Sequence, residues 1–343
     1  MINLADYNYL LPKDRIAQKP AEKRDHSRLL VLENKNIKHR QFYQIIDEIE
    51  EGDVFVVNNS KVIASTLKGK KETGGKVEIL FLREINSQEN EWECLLKGRK
   101  LRVEGKLNFL DSQLIGTIMK WKKSGQFIVK FTADTPIQDL LNEYASITLP
   151  PYIKTPQDDI SRYQTVYASK DGSIAAPTAG FHFTRDIIQK MDNNGAKFVE
   201  ITLHVGYSTF MRLDNEILSN GQMDSEYFTI STESAAVIEE CLNRNDRLIV
   251  VGTTTMKALE SATNQNGKIK KLRGWSTLFI APGYSFNLKI SRMVTNFHLP
   301  KSSPLLMVCA FAGKERILNA YKEAVSNNYR FYSFGDAMFC DSG

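Results

Sequence analysis

The chain of 343 residues is most informative first for what is missing. It has four cysteines, Cys94, Cys241, Cys309 and Cys340, none in a CxxC spacing. That argues against a zinc ribbon, a redox dithiol or a secreted disulfide framework, and fits a reducing cytoplasm. No run of about 18 apolar residues occurs, so no membrane-spanning helix is expected. The start, MINLADYNYLLPKDRIAQK, mixes acidic and basic residues with apolar ones and does not read as a signal peptide. No GxGxxG follows any expected strand, which argues against the usual dinucleotide site. No GxSxG elbow points to a serine hydrolase, and no HExxH supplies a local zinc pair.

What is present is an ordinary globular composition, 42% hydrophobic and 25% charged, with a formal net charge of +5. The mild basicity is compatible with a polyanionic partner or with a lysine-rich solvated surface. Residues 67–150 stand apart. VEILFL, EWECLL, KLRVEGKLNFL and QLIGTIMKWKKSGQFIVKFT are short β-rich runs between Gly, Asn and Ser turns, the pattern of an antiparallel barrel or sandwich. TPIQDLLNEYA is the one helix expected there, and LPPYI closes the segment in extended chain.

On either side, strands alternate with helices. SRLLVLE, DVFVVNN, KFVEITLHV, RLIVV and RFYSF read as strands. FYQIIDEIEEG, RDIIQKMDNN, ESAAVIEECLNRN, MKALESA, LLMVCAFA and KERILNAYKEAVSNN read as helices. Thr184 suits an N-cap and Gly195 a C-cap, while Ser303-Pro304 suits N-cap plus N1, with Gly313 as terminator. The expectation is an α/β domain built from 1–66 and 151–343, interrupted by an all-β insert at 67–150.

In such architectures ligands collect at the carboxyl ends of strands. ITLHVGYSTF, VVGTTT, VTNFHLPKSS and the Gly335-Asp336 turn of YSFGDAM are the loops that qualify. GTTT offers free backbone N–H groups and hydroxyls to a polar or anionic ligand, or simply a helix cap. Along KFVEITLHV, Val199, Ile201, Leu203 and Val205 share one face and Phe198, Glu200, Thr202 and His204 the other. His182 sits in the uncharged stretch SIAAPTAGFHFT, and His298 follows Asn296 and Phe297. Each imidazole alone fits a hydrogen-bonded structural role as well as a catalytic one. Three of the five histidines nevertheless fall beside Gly-, Pro- or Thr-rich loops.

The insert carries 14 basic and 11 acidic residues. Lys97, Arg99, Lys100, Arg102 and Lys106 cluster, and Lys120, Lys122 and Lys123 flank Trp121. Basic residues around an aromatic suit a nucleic-acid backbone with a stacked base, though a solvated lysine face is an equal reading.

Ten blocks in order carry a resemblance. They are RIAQKPAEKRDHSRLLVL, GDVFVVNNSKVI, KETGGKVEIL, LPPYI, RYQTVYASKDGSIAAPTAGFHFT, ITLHVGYSTF, VVGTTTMKALES, GWSTLFIAPGY, TNFHLPKSSPLLMVCAFAG and YRFYSFGDAM. Together they resemble the S-adenosylmethionine:tRNA ribosyltransferase-isomerase family of queuosine biosynthesis, over essentially the whole chain. The resemblance implies a barrel-like α/β domain with a β-barrel insert. It implies transfer and isomerisation of the ribosyl part of S-adenosylmethionine onto 7-aminomethyl-7-deazaguanine at the tRNA wobble position. Epoxyqueuosine forms, and adenine and methionine leave. S-adenosylmethionine is then a consumed co-substrate, with no true cofactor and no metal. A cytoplasmic monomer is expected. The family shows Met-His-Ser-Glu-Tyr where this chain reads Met223-Asp224-Ser225-Glu226-Tyr227, and often an Asp where Asn59 stands.

That chemistry requires a base at the ribose 5′-carbon, a hydrogen-bond or proton donor at the departing adenine, and a setting for the sulfonium. On the resemblance, His182, His204 and His298 take acid–base or hydrogen-bonding roles, with Glu226 and Asp336 for the sulfonium, the methionine ammonium or the incoming amine. Thr178, Thr253 and Thr254 supply hydroxyls, beside Gly180. Phe181, Tyr207 and Phe297 wall the adenine. Lys76, Arg99, Lys100 and Lys122 are the expected tRNA contacts. Two rival readings are a metal-dependent nucleotide hydrolase using the three histidines and a non-catalytic tRNA-binding protein.

Overall fold

Val54–Asn58 and Leu248–Val251 are buried at every position, as strands covered on both faces must be. They form the middle of a nine-stranded sheet in a computed structural model that describes residues 2–122, 125–155, 157, 159–210, 213 and 215–343, with the side chains of 208, 210, 215 and 216 outside the description. The chain divides into two compact units, 1–61 with 150–343 and Val62–Leu149.

Across the sheet the order is Arg273–Leu278, Gln222–Thr229, Lys197–Leu203, Val54–Asn58, Leu248–Val251, Arg292–Asn296, Ala337–Asp341, Arg28–Glu33 and Asn36–Gln41. Lys197–Leu203, Val54–Asn58, Leu248–Val251 and Arg292–Asn296 run parallel to one another. The sheet alternation divides the core in two. Val54, Val56, Leu248, Val250 and Met293 face one apolar cluster with helices Thr253–Ala262, Ser303–Ala312 and Lys314–Ser326. Phe55, Val57, Ile249, Val251 and Val294 face the other, which holds Phe183 and Ile187 of the segment around helix Arg185–Asn193. The four parallel strands therefore end together, at Asn58, Leu203, Val251 and Asn296.

The local signals decide the helix starts. Thr184 caps Arg185–Asn193 through its hydroxyl, which accepts from the Ile187 N–H at 3.2 Å. Gly252 has φ +89°, a left-handed value that suits glycine, and it turns strand Leu248–Val251 into helix Thr253–Ala262. Helix Ser303–Ala312 has Ser302 as N-cap, with Pro304 in its first turn. FYQIIDEIEEG forms a 3-10 helix, Phe42–Glu48. RFYSF is not the last strand: Tyr332 has φ +75° and accepts the Gly335 N–H in a turn, and the strand forms after it, at Ala337–Asp341.

The insert is a closed barrel of six antiparallel strands: Phe127–Ala133, Glu91–Gly98, Lys76–Asn86, Thr66–Lys71, Lys106–Phe109 and Leu114–Trp121. Leu67, Ile79, Phe81, Val129 and Phe131 fill it, and helix Ile137–Tyr144 adds Ile137, Leu140 and Leu141 to the same cluster. Lys76, Arg99 and Lys100 are exposed. Lys122 is committed to an ion pair with the buried Glu93, which also accepts from Arg83 at 2.7 Å. Trp121 is 66% exposed and stacks on Phe127. Lys123 lies outside the described residues. No helix among the described residues is long and apolar enough to cross a membrane.

Candidate active site

The shared carboxyl edge of the parallel strands opens into a cleft. Its lining includes Ala176, Pro177, Thr178, Ala179, Val205, Gly252, Thr253, Thr254, Thr295, Asn296 and His298, with Tyr152, Tyr332 and Ser333. A second compartment shares Thr209, Thr253, Thr254 and Pro304 with it and adds Met223, Glu226, Lys257, Phe279, Ile280 and Met307.

His298 is the one of the three singled-out histidines that lines the cleft itself. Its Nε2 pairs with the Thr295 hydroxyl at 2.8 Å, while Nδ1 has no partner among the described residues. The backbone is clamped as well: the Tyr321 hydroxyl sits 3.0 Å from the His298 N–H, and Tyr9 donates to the His298 carbonyl. Burial lowers the ring's pKa to about 3, so the imidazole is neutral.

His182 stands one residue further back. Asn296 donates its Nδ2 to the Tyr332 carbonyl at 3.0 Å and faces His182 Nε2 at 3.3 Å. An amide nitrogen only donates, so Nε2 must accept and the ring proton sits on Nδ1. Nδ1 then donates to Ser27 Oγ at 2.6 Å, and that hydroxyl passes on to the Arg24 carbonyl at 3.3 Å. The other end of the Asn296 amide accepts from Thr178 Oγ1 at 3.4 Å. Thr178, Asn296, His182 and Ser27 thus form one line of hydrogen bonds, whose cleft-lining members are Thr178 and Asn296. Burial, with Arg330 adding to it, lowers the His182 pKa to about 3, and the ring stacks on Phe42. The motif TAGFH is a 3-10 turn. Gly180 is required there because a Cβ would sit 2.1 Å from the Tyr167 hydroxyl.

His204 is half-buried just past strand Lys197–Leu203, parallel to the Tyr227 ring. Its Nδ1 is buried without a hydrogen-bond partner among the described residues, and burial lowers its pKa. It does not line the cleft, although its neighbour Val205 does.

Glu226 belongs to the second compartment. One oxygen accepts the Gly206 N–H at 2.8 Å and the other pairs with Lys257 Nζ at 2.9 Å, with both side chains buried. Thr253 and Thr254 line both compartments at the start of their helix, and Thr254 Oγ1 lies 3.4 Å from Asn58 Nδ2. Asn58 also accepts the Leu203 N–H and donates to the Leu203 carbonyl, which ties two strand ends together.

Asp336, Phe297, Phe181 and Tyr207, also expected at the site, are not among the residues lining either compartment. The Asp336 carboxylate accepts the backbone N–H groups of Arg28 and Arg330, at 2.9 and 2.7 Å, and so holds the turn before the last strand. Phe297 is fully buried among Tyr321, Tyr329 and Phe331 and presents no face to a ligand. Phe181 packs on Tyr163 and Phe334 and lines, with His182, Arg24 and Arg162, a smaller hollow. Tyr207 begins the 3-10 turn Tyr207–Phe210 and is half-buried. Among the described residues, no group of three or more His, Cys, Asp or Glu side chains converges as a metal site would require, and the three histidines do not meet.

A family model described as queuosine biosynthesis protein matches residues 4–340. The chain belongs to this family. Relatives named S-adenosylmethionine:tRNA ribosyltransferase-isomerase match over nearly the full length. That of Clostridioides difficile is 43% identical over 97% of this chain and 98% of its own. That of Caldanaerobacter subterraneus is 44% identical over 97% and 98%. A crystal structure of S-adenosylmethionine tRNA ribosyltransferase from Thermotoga maritima is 33% identical, covers 98% of this chain and 99% of that one, and superposes with a TM-score of 0.56.

Within the family pattern this chain's two departures have local accounts. Asp224 is exposed on the strand, two residues before Glu226. Asn59 donates to Glu200 at 2.8 Å and accepts from Thr202 at 2.7 Å, whereas an aspartate would set one carboxylate against another. Asn58, Thr295, Tyr332 and Lys257 were not singled out from the sequence. Asn58 and Thr295 sit inside apolar strand runs. Lys257 carried a readable signal, lying four residues after Thr253 and so on the same face of the helix.

Proposed function

We propose that this protein transfers and isomerises the ribosyl moiety of S-adenosylmethionine onto 7-aminomethyl-7-deazaguanine at the wobble position of a tRNA, giving epoxyqueuosine-tRNA, adenine and methionine. The observation that carries the reading is the match along 97–98% of the chain to three relatives so named, at 41–44% identity. The cleft supports it. A neutral imidazole with an open nitrogen is suited to taking the 5′-proton of a sulfonium nucleoside, and His298 offers one. His182 acts through Asn296 as a positioning residue, orienting an amide and the Thr178 hydroxyl toward the sugar. His204, half-buried and with an unused Nδ1, is the third candidate for a proton or hydrogen bond. Small residues from Ala175 to Ala179 allow a bulky nucleoside to approach the backbone.

On this reading S-adenosylmethionine is consumed and no separate cofactor takes part. Lys76, Arg99 and Lys100 of the insert contact tRNA phosphates, and the protein works as a cytoplasmic monomer. The test is incubation with S-adenosylmethionine and tRNA bearing the deazaguanine precursor. Mass spectrometry of the digested tRNA should show the epoxycyclopentane adduct, with adenine in equal yield. Adenine release without modified tRNA would overturn the reading, and tRNA binding without adenine release would point to a binding protein instead.

A further inference from the structure

We infer that the compartment floored by Lys257 and Glu226 holds the aminoacyl arm of S-adenosylmethionine, Lys257 taking its carboxylate and Glu226 its ammonium. The inference rests on the function proposed above and assigns one part of that substrate to one part of the site.

Hydrogen-bonding capacity is the first argument. An ammonium has three donors, and Lys257 uses one, on Glu226, among the described residues. A carboxylate has about four acceptor positions. Among the described residues Glu226 fills two, with the Gly206 N–H and Lys257. Both side chains are buried, where unused polar capacity is costly unless a ligand or water completes it. The spare donors on one side and spare acceptors on the other complement an α-amino acid zwitterion. A neutral sugar or a purine could meet the same donors and acceptors but would bring no charge opposite to either buried ion.

Position is the second. The compartment joins the main cleft at Thr253 and Thr254, and Lys257 lies one helical turn beyond Thr253 on the same face. A carboxylate between them also meets the free N–H groups of a helix start, which favour anions. Met223, Met307, Phe279 and Ile280 supply an apolar, polarisable wall for the methylene and sulfur chain. The nucleoside then falls on the side of Asn296 and His298, with the sulfonium at the threonines.

The experiment is equilibrium binding of S-adenosylmethionine and of 5′-methylthioadenosine, which keeps the nucleoside and lacks the aminoacyl arm. Wild-type protein should bind the first more tightly. Lys257→Met should weaken S-adenosylmethionine by about ten- to a hundredfold, the worth of a hydrogen bond to a charged group, and leave 5′-methylthioadenosine unchanged. The double variant Lys257→Met/Glu226→Met, which leaves no single buried charge behind, should show the same selective loss. Equal loss of both ligands, or loss of neither, in the double variant overturns the assignment. A wild-type protein that binds both ligands equally overturns the subsite alone. One that binds neither overturns the functional reading, and the subsite with it.

Discussion

The two compartments that meet at Thr253 and Thr254 treat polar groups in opposite ways. Around Asn296 the polar side chains are neutral: two imidazoles held uncharged by burial, an amide, and the hydroxyls of Thr178, Thr295 and Ser27. Around Lys257 the buried groups are a full ion pair. Removing charge from water is costly, so a fold keeps a buried pair where something recoups that cost. Neutral imidazoles with a usable lone pair suit proton removal, and a charge pair suits holding a zwitterion. On the proposed function, the difference separates a chemical end of the site from a binding end.

The largest effect should come from the chemical end. His298→Ala is expected to lower kcat for adenine release by about a hundred- to ten-thousandfold, the usual contribution of a positioned acid–base group, with little change in KM for S-adenosylmethionine. Steady-state kinetics decides it. A variant that instead raises KM at constant kcat would move His298 to the binding end and erase the distinction.

Next is the line of hydrogen bonds behind the cleft. Asn296→Ala leaves His182 Nε2 without its donor and Thr178 without its acceptor. Burying an unsatisfied group costs about 1–3 kcal/mol, which denaturant unfolding should show. An unchanged stability would mean that the His182 line is not under the constraint its geometry implies.

A graded effect tests neutrality directly. In the unfolded chain each ring titrates near 6.5, and in the fold His182 and His298 titrate at about 3. Between those values the unfolded chain binds more protons, so stability falls as pH falls from 6.5 toward 3. The slope is at most about 1.4 kcal/mol per pH unit for each ring. Urea unfolding at several pH values should show it, and His298→Gln should flatten it. A slope unchanged by that substitution would show that His298 is not held neutral.

How much of this was legible depended on the kind of signal. The strands Val54–Asn58 and Leu248–Val251 and the helix starts at Thr184 and Gly252 follow from apolar runs and capping residues, which act locally. The turn before Ala337–Asp341 did not, because RFYSF has strand composition, whereas the positive φ of Tyr332 and the hold of Asp336 on the Arg28 and Arg330 N–H groups belong to the folded chain. His298 was readable as a loop histidine, while the indirect place of His182 was not. Its partners, Ser27 just before strand Arg28–Glu33 and Asn296 at the end of strand Arg292–Asn296, are far apart in the chain. Phe297 illustrates the opposite error: next to a site histidine it looked like a wall, but strand and loop geometry turned it into the core.

The smallest expected effects lie in the insert, where charge serves solvent or a partner rather than a cleft. Lys76, Arg99 and Lys100 are exposed, whereas Lys122 is already paired with Glu93. A phosphate contact releases counterions, so losing one lowers the slope of log affinity against log salt by about 0.7 to 1. Lys100→Ala and Arg99→Ala should therefore each weaken tRNA binding modestly and flatten its salt dependence. Lys122→Ala should change the slope less, since its charge is spent inside the protein. Affinity for S-adenosylmethionine should not move in any of them. If Lys122→Ala flattened the slope as much as Lys100→Ala, the Glu93 pair would have to open on binding, and a charge committed within the fold would be as available to RNA as a free one.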